Sequence, residues 1–234
     1  MEIEVPIQPQ VLFTIGGLIV TNTLLTSWVA IILLILLAAA ATRRMQLIPS
    51  GLQNAAEAVV ELILSLGEQA AGPNARRFLP LVATLFLYIW FSNWLGILPG
   101  IGTFHIGETA ILRTPNSDLS ITAAMALIVF VWVQVTGLRA DVKGYFLKFI
   151  WPIPILEGIS EIARPVSLAL RLFGNILAGF ILVEVMLQLV PIGVPAVFMG
   201  VELGVGIIQA LIFAILTLAF LSLATAHGHE AHHE

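Results

Sequence analysis

No charged residue occurs between Val5 and Thr42, nor between Phe78 and Gly107. A helix needs about 20 predominantly apolar residues to cross a bilayer, and either run exceeds that. This decides the solvent in which the chain folds. Composition agrees: of 234 residues, 59% are hydrophobic and 10% charged, whereas a soluble domain carries about 25% charged residues. The outer surface is expected to face lipid. The opening MEIEVP is acidic where a secretory signal needs a basic start, so no cleaved signal is expected. The absence of cysteine excludes disulfides and thiolate chemistry. Residues 1–234 are expected to form a single membrane domain.

Along the chain, a first span lies within Gly16–Ala41 and ends at Arg43 and Arg44. In Ile48–Ala71, Glu57, Glu61 and Glu68 are interleaved with Leu, Val and Ile, the pattern of an amphipathic helix in the interface. Gly72-Pro73-Asn74 breaks it. A second span follows at about Leu79–Leu98, then a polar loop over Ile101–Asp118, then a third span at about Leu119–Leu138. Two long apolar helices close the chain, about Leu156–Val190 and Ala196–Ala226, joined by Pro191–Pro195. The expected fold is all-α and polytopic: five membrane-crossing helices plus one interfacial helix.

At 1.5 Å per residue, the first closing helix would reach roughly 50 Å. The hydrocarbon core is only ~30 Å thick, so the closing pair should form a strongly tilted hairpin or partly leave the bilayer. Arg43, Arg44, Arg76, Arg77, Arg139, Lys143 and Lys148 all fall on one side, and the opposite loop has only Arg113. The basic side is expected to be cytoplasmic. That puts the N-terminus outside and the C-terminus in the cytoplasm.

The costliest residue is Arg171, inside an apolar helix. Its insertion costs ~3 kcal/mol on translocon scales. A guanidinium stays protonated in proteins, so it cannot relay protons and acts only as a fixed positive charge. It either pairs with Glu184 or Glu202, or stands as a barrier or counter-charge beside an ion path; the second reading is preferred. Glu184 and Glu202 lie in apolar helices near the Pro191–Pro195 turn. They either sit at the interface or relay a proton in a wet cavity. Glu202 and Gln209 are seven residues apart, and Arg171 and Asn175 are four apart, so each pair shares a helix face. Asn93 is a lone amide in the second span, a residue that also serves as interhelical glue. Four of the five histidines sit in the terminal HGHEAHHE, read as a flexible end.

With these residues, the chain resembles a known family. RPVSLALRLFGNILAG, followed by IIQALIFAILTLAFLSLA, closely resembles subunit a of the F-type ATP synthases. So do Ile19–Trp28 (IVTNTLLTSW), Pro49–Glu57 (PSGLQNAAE), Phe86–Gly100 (FLYIWFSNWLGILPG) and Thr114–Leu127 (TPNSDLSITAAMAL). The resemblance implies a non-catalytic stator subunit beside a ring of c subunits, in a bacterial plasma membrane or a photosynthetic one. Its partners would be that ring, b-type peripheral stalk subunits and, indirectly, the F1 catalytic subunits; no cofactor is implied. Arg171 matches the family's essential arginine, which faces the ion-carrying carboxylate of each c subunit. Asn175 and Gln209 match its polar partners, and Asn93 a residue of the outer half-channel. Glu202 matches a position held by His or Glu, and Glu157 a carboxylate near the inner half-channel. One departure is expected to matter. Many members have an acid nine residues after the arginine; here Phe180 stands there, with Glu184 about 40° further round the helix. Proton is the default coupling ion.

Other classes fit less well. A transporter acting alone would want an inverted repeat or discontinuous helices, and neither is evident. A Ser–His protease lacks a histidine outside the tail other than His105, in a polar loop. A simple anchor would not need Arg171.

Overall fold

The structure, a computed structural model, describes residues 8–72, 75–97, 105–106, 109–110, 112–140, 142, 154–190 and 193–230. It opens with an antiparallel hairpin of β1 (Val11–Ile15) and β2 (Leu18–Thr21), with Ile15 opposite Leu18. Gly16 and Gly17 make the turn at φ 55 and 89. A two-residue hairpin turn with both φ values positive matches the strand twist, and glycine adopts it without steric cost. The first span falls within the expected Gly16–Ala41 stretch apart from Thr42, and this turn precedes it. Helix α1 (Asn22–Thr42) starts six residues after Gly16, where the Thr21 hydroxyl caps it by accepting from the Leu24 N–H at 3.3 Å. Its first half buries Asn22, Thr23, Thr26, Ser27 and Ala30. Its second half leaves Ile31, Ile32, Ile35 and Leu36 exposed, a surface suited to lipid.

Helix α2 (Leu52–Ala71) is the amphipathic element. It buries Ile63 and Ala71, while Glu61 and Glu68 stay exposed. Gly67 lets it lie close to the last helix: a Cβ there would stand 3.0 Å from Leu218 Cδ1. Helix α3 (Ala75–Ile97) buries Phe78, Val82, Leu85, Phe86, Ile89 and Asn93, at steps of three and four residues. It begins earlier than the hydropathy alone suggested and takes Arg76 and Arg77 into its first turn. Helix α4 (Leu119–Ala140) buries Met125, Ala126, Val129 and Val133 in the same way.

Two helices of 36 and 37 residues complete the fold: α5 (Pro154–Leu189) and α6 (Val194–Glu230). Each runs to about 55 Å. The second carries the start of the histidine-rich tail into its last turn, and residues 231–234 lie outside the described ones. Helices α1, α3, α4, α5 and α6 are all long and apolar enough to cross a membrane. Helix α6 packs on α2, α3, α4 and α5. The common core includes Phe86, Ile89, Val129, Leu172, Phe213 and Leu218.

The loop between α3 and α4 is buried over residues 113–118. It carries a two-residue strand pair, β3 (His105–Ile106) with β4 (Thr109–Ala110), then a 3-10 turn at Pro115–Ser117. That turn touches α1, α3, α4 and α5, and Thr114 packs onto Gly96 so closely that a Cβ there would stand 2.7 Å from the Thr114 Cα. Backbone cannot yield as a flexible side chain does, so Gly96→Ala should destabilise the chain by about 1–3 kcal/mol. The check is the thermal unfolding midpoint of the purified chain, and an unchanged midpoint would mean that the loop is not seated on α3.

Candidate functional site

Arg171 lies on the exposed side of α5, between exposed Leu170 and fully buried Leu172. Its Nη2 donates to Ser167 Oγ at 3.4 Å, one turn away. Among the described residues it makes no ion pair, and the pairing with Glu184 or Glu202 is not formed. Ser167, Arg171, Asn175 and Gly179 follow one another at four-residue steps, a polar and small-residue stripe along one face of α5.

Two rungs tie this stripe to α6. Asn175 Nδ2 donates to Gln209 Oε1 at 2.8 Å. Further along, the carboxylate of Glu202 lies directly on Gly179, where a Cβ would fall inside it. The residue numbers rise on one helix as they fall on the other, so the rungs fix the antiparallel register of α5 and α6. The proximity of the stripes, expected from the spacing alone, is thus present as contacts. Glu202 is 8% exposed and has no hydrogen-bond or ion-pair partner among the described residues.

Asn93 continues the seam into α3. Fully buried, it donates from Nδ2 to the Gly206 carbonyl at 3.2 Å, while its neighbour Trp94 donates from Nε1 to the Leu203 carbonyl at 3.2 Å. Asn116 of the loop donates from Nδ2 to Asn93 Oδ1 at 2.7 Å. The Asn116 Oδ1 is buried without a hydrogen-bond partner among the described residues. A polar seam therefore runs from the α3–α4 loop, through Asn116, Asn93 and the Gly206 backbone, to Gln209, Asn175 and Arg171.

Nothing in its sequence context marks out Arg113, yet it is 4% exposed and central to the loop. Its Nε donates to Ser117 Oγ at 3.0 Å, its Nη1 to the Gln8 carbonyl at 3.0 Å and its backbone N–H to Thr26 Oγ1 at 3.1 Å. Its guanidinium stands 4.6 Å from the centre of the Phe180 ring, a cation–π contact. Burial pulls its pKa below the ordinary arginine value, and the nearby Asp118 opposes that. Asp118 accepts from Thr23 Oγ1 at 2.8 Å and from the Ser120 N–H at 2.8 Å, so it joins α1 to the start of α4. The usable signal for this loop was the run of cap-forming residues in TPNSDLS, which marks a helix start but not burial.

Glu184 is half-buried on α5, one turn beyond Phe180. Glu157 falls in the first turn of α5, and its side chain lies outside the described residues. One turn later, Glu161 is 6% exposed; it accepts from Gln134 Nε2 at 2.7 Å and lies 3.5 Å from Arg164 Nη1. Buried Glu161 was not singled out from the sequence.

Five helices able to cross a membrane, an arginine on an exposed stripe of one of them and a buried polar seam define an integral membrane subunit built around charge. Residues 24–222 match the family described as ATP synthase A chain. Relatives named ATP synthase subunit a agree. That of Gloeobacter violaceus is 40% identical, covering 91% of this chain and 86% of the relative. That of Moorella thermoacetica is 34% identical, covering 95% and 99%. That of Campylobacter jejuni subsp. doylei is 42% identical, covering 79% and 81%. The chain belongs to the ATP synthase subunit a family. It is a multi-pass, non-catalytic subunit of the membrane sector, and proton transport and ATP synthesis follow from the family.

Proposed function

We propose that this chain provides two offset aqueous half-channels to the carboxylates of a c-subunit ring, kept apart by Arg171. The observation that carries the reading is the state of Arg171: a permanent charge on an exposed face of a spanning helix, with no ion partner among the described residues. Such a charge costs ~3 kcal/mol or more in lipid. A carboxylate presented by a neighbouring ring subunit offsets that cost and brings the reacting group to the stripe.

A proton enters from outside past Asn93, Glu184 and Glu202 and neutralises a ring carboxylate. The neutral acid then turns through lipid cheaply, whereas an ionised one cannot. After nearly a full turn it releases its proton through an inner half-channel near Glu157. Arg171 repels cations that would leak straight across and attracts the deprotonated carboxylate, with Asn175 and Gln209 holding its face of the hairpin. The membrane potential supplies about 2.3 kcal/mol per charge per 100 mV. The orphan acceptor on Asn116 and the unpartnered Glu202 support a wet path on the entry side.

The long hairpin of α5 and α6 lies strongly tilted against the ring. The other partners are b-type stalk subunits and, through them, the F1 catalytic subunits. Residues 1–234 act as one domain in a bacterial plasma membrane or a photosynthetic one. The basic ends of α1, α3 and α4 support a cytoplasmic C-terminus and an outside N-terminus. Glu184→Gln tests the entry path. It should slow potential-driven proton uptake roughly tenfold in reconstituted complexes, and unchanged ATP-driven and potential-driven pumping by that variant would remove Glu184 from the path.

A further inference from the structure

Away from the seam, the end of α1 and the start of α2 flank an open cavity of about 240 Å³. Arg43, Arg44, Gln46, Ser50 and Gln53 supply its polar wall. We propose that it binds the phosphate-bearing head group of an anionic phospholipid, held by Arg43 and Arg44.

The wall is pinned in place. The Gln46 N–H donates to Gln53 Oε1 at 3.0 Å, and Gln53 Nε2 donates back to the Gln46 carbonyl at 3.0 Å. Gln53 is only 8% exposed and also donates to Glu57 Oε1 at 2.8 Å. The linker between the helices is thus closed into a ring by one side chain, and the cavity is formed without a ligand.

Its charge is of one sign. Both charged residues in the wall are arginines, and among the described residues neither has an ion-pair or hydrogen-bond partner. Glu57 lies outside the wall, occupied by Gln53. The carbonyl end of α1 favours cations and keeps the two guanidiniums local. Helix α2 contributes donors: Gly51 gives no side-chain cap, so its first N–H groups lack helical partners. Guanidinium forks and free N–H groups together match phosphate oxygens.

The surroundings select the source of that phosphate. Helix α1 spans the membrane and ends at Thr42, so the cavity sits at the bilayer edge. Beside it, Leu47 is 105% exposed and Ile48 84%, with Met45 and Leu52 also exposed. Those side chains offer nothing to a free phosphate ion, but they offer an apolar seat to acyl chains.

The test uses the full chain in neutral detergent, with dioleoyl phosphatidylglycerol titrated in and bound lipid read by native mass spectrometry. One phosphatidylglycerol should bind more tightly than the rest, and Arg43→Gln with Arg44→Gln should weaken it roughly 30-fold. Arg43→Lys with Arg44→Lys should keep most of the affinity, and Arg76→Gln with Arg77→Gln all of it. Equal binding by the wild type and the glutamine pair overturns the site. So does phosphatidylcholine binding as tightly as phosphatidylglycerol. Displacement of the lipid by millimolar inorganic phosphate overturns the lipid assignment in favour of a soluble anion. If the glutamine pair loses helical content by circular dichroism, the lysine pair and the phosphatidylcholine comparison decide in its place. Lipid retention is read apart from proton flux, so its failure leaves the transport reading intact.

Discussion

Arg171→Ala should abolish ATP synthesis driven by an imposed gradient, to background, in a complex that still assembles. The reason lies in what the guanidinium alone provides. It never changes protonation state, so it cannot carry the ion. Its charge stands on the exposed stripe of α5 and is met by Ser167 alone among the described residues. Without it, nothing repels a proton moving directly between the two half-channels, and nothing draws a deprotonated ring carboxylate to the hairpin. Passive proton leak through reconstituted complexes should therefore rise as synthesis falls. Arg171→Lys should retain part of the barrier, since an ammonium keeps the charge but loses the planar fork. The two readouts are gradient-driven ATP formation and dye-detected proton leak. Normal coupled synthesis by the assembled alanine variant would refute the role.

Gly179→Ala is expected to produce the second large loss. One methyl group is a small change in most helices, but here it would occupy the place of the Glu202 carboxylate. The carboxylate must swing away, or α5 and α6 must separate and strain the Asn175–Gln209 bond one turn along. Displacing a reacting group by about 1 Å costs around 100-fold in rate, so proton-driven activity should fall roughly 10- to 100-fold. Coupling identifies the cause. In a Glu202→Ala background the alanine at 179 has room, so adding it should cost little beyond the loss of Glu202 itself. Proton flux in the single and double variants, with assembly checked by co-purification, measures this. Additive losses would mean that the two residues act independently.

The bundle was legible in the sequence because lipid punishes charge. Two charge-free runs, the apolar stretch 119–138 and two long closing segments located all five spans, and the interleaved glutamates of 48–71 marked α2. The start of α1 was not legible, because a Gly-Gly turn flanked by β-branched residues is as apolar as a helix; the Thr21 cap and positive φ values decide it. Arg171, Asn175, Glu202 and Gln209 were legible for the same reason as the spans: a polar side chain in an apolar helix needs an explanation. Arg113, Asn116 and Asp118 were not, because polar residues are ordinary in a loop and nothing in their spacing says that the loop is buried. Glu161, tied to Gln134 and Arg164, was not singled out, because a carboxylate in the first turns of a helix is ordinary; the side chain of Glu157 lies outside the described residues.

The contact between Arg113 and Phe180 bears on what position 180 can hold. An acid at 180 in this chain would arrive beside a buried guanidinium already fixed by Ser117 and the Gln8 carbonyl. The two would neutralise each other, and the new carboxylate would be spent on a static pair instead of exchanging protons with water. Positions 113 and 180 are therefore not independent choices. An aromatic ring at one suits a cation at the other, and replacing either alone breaks that contact.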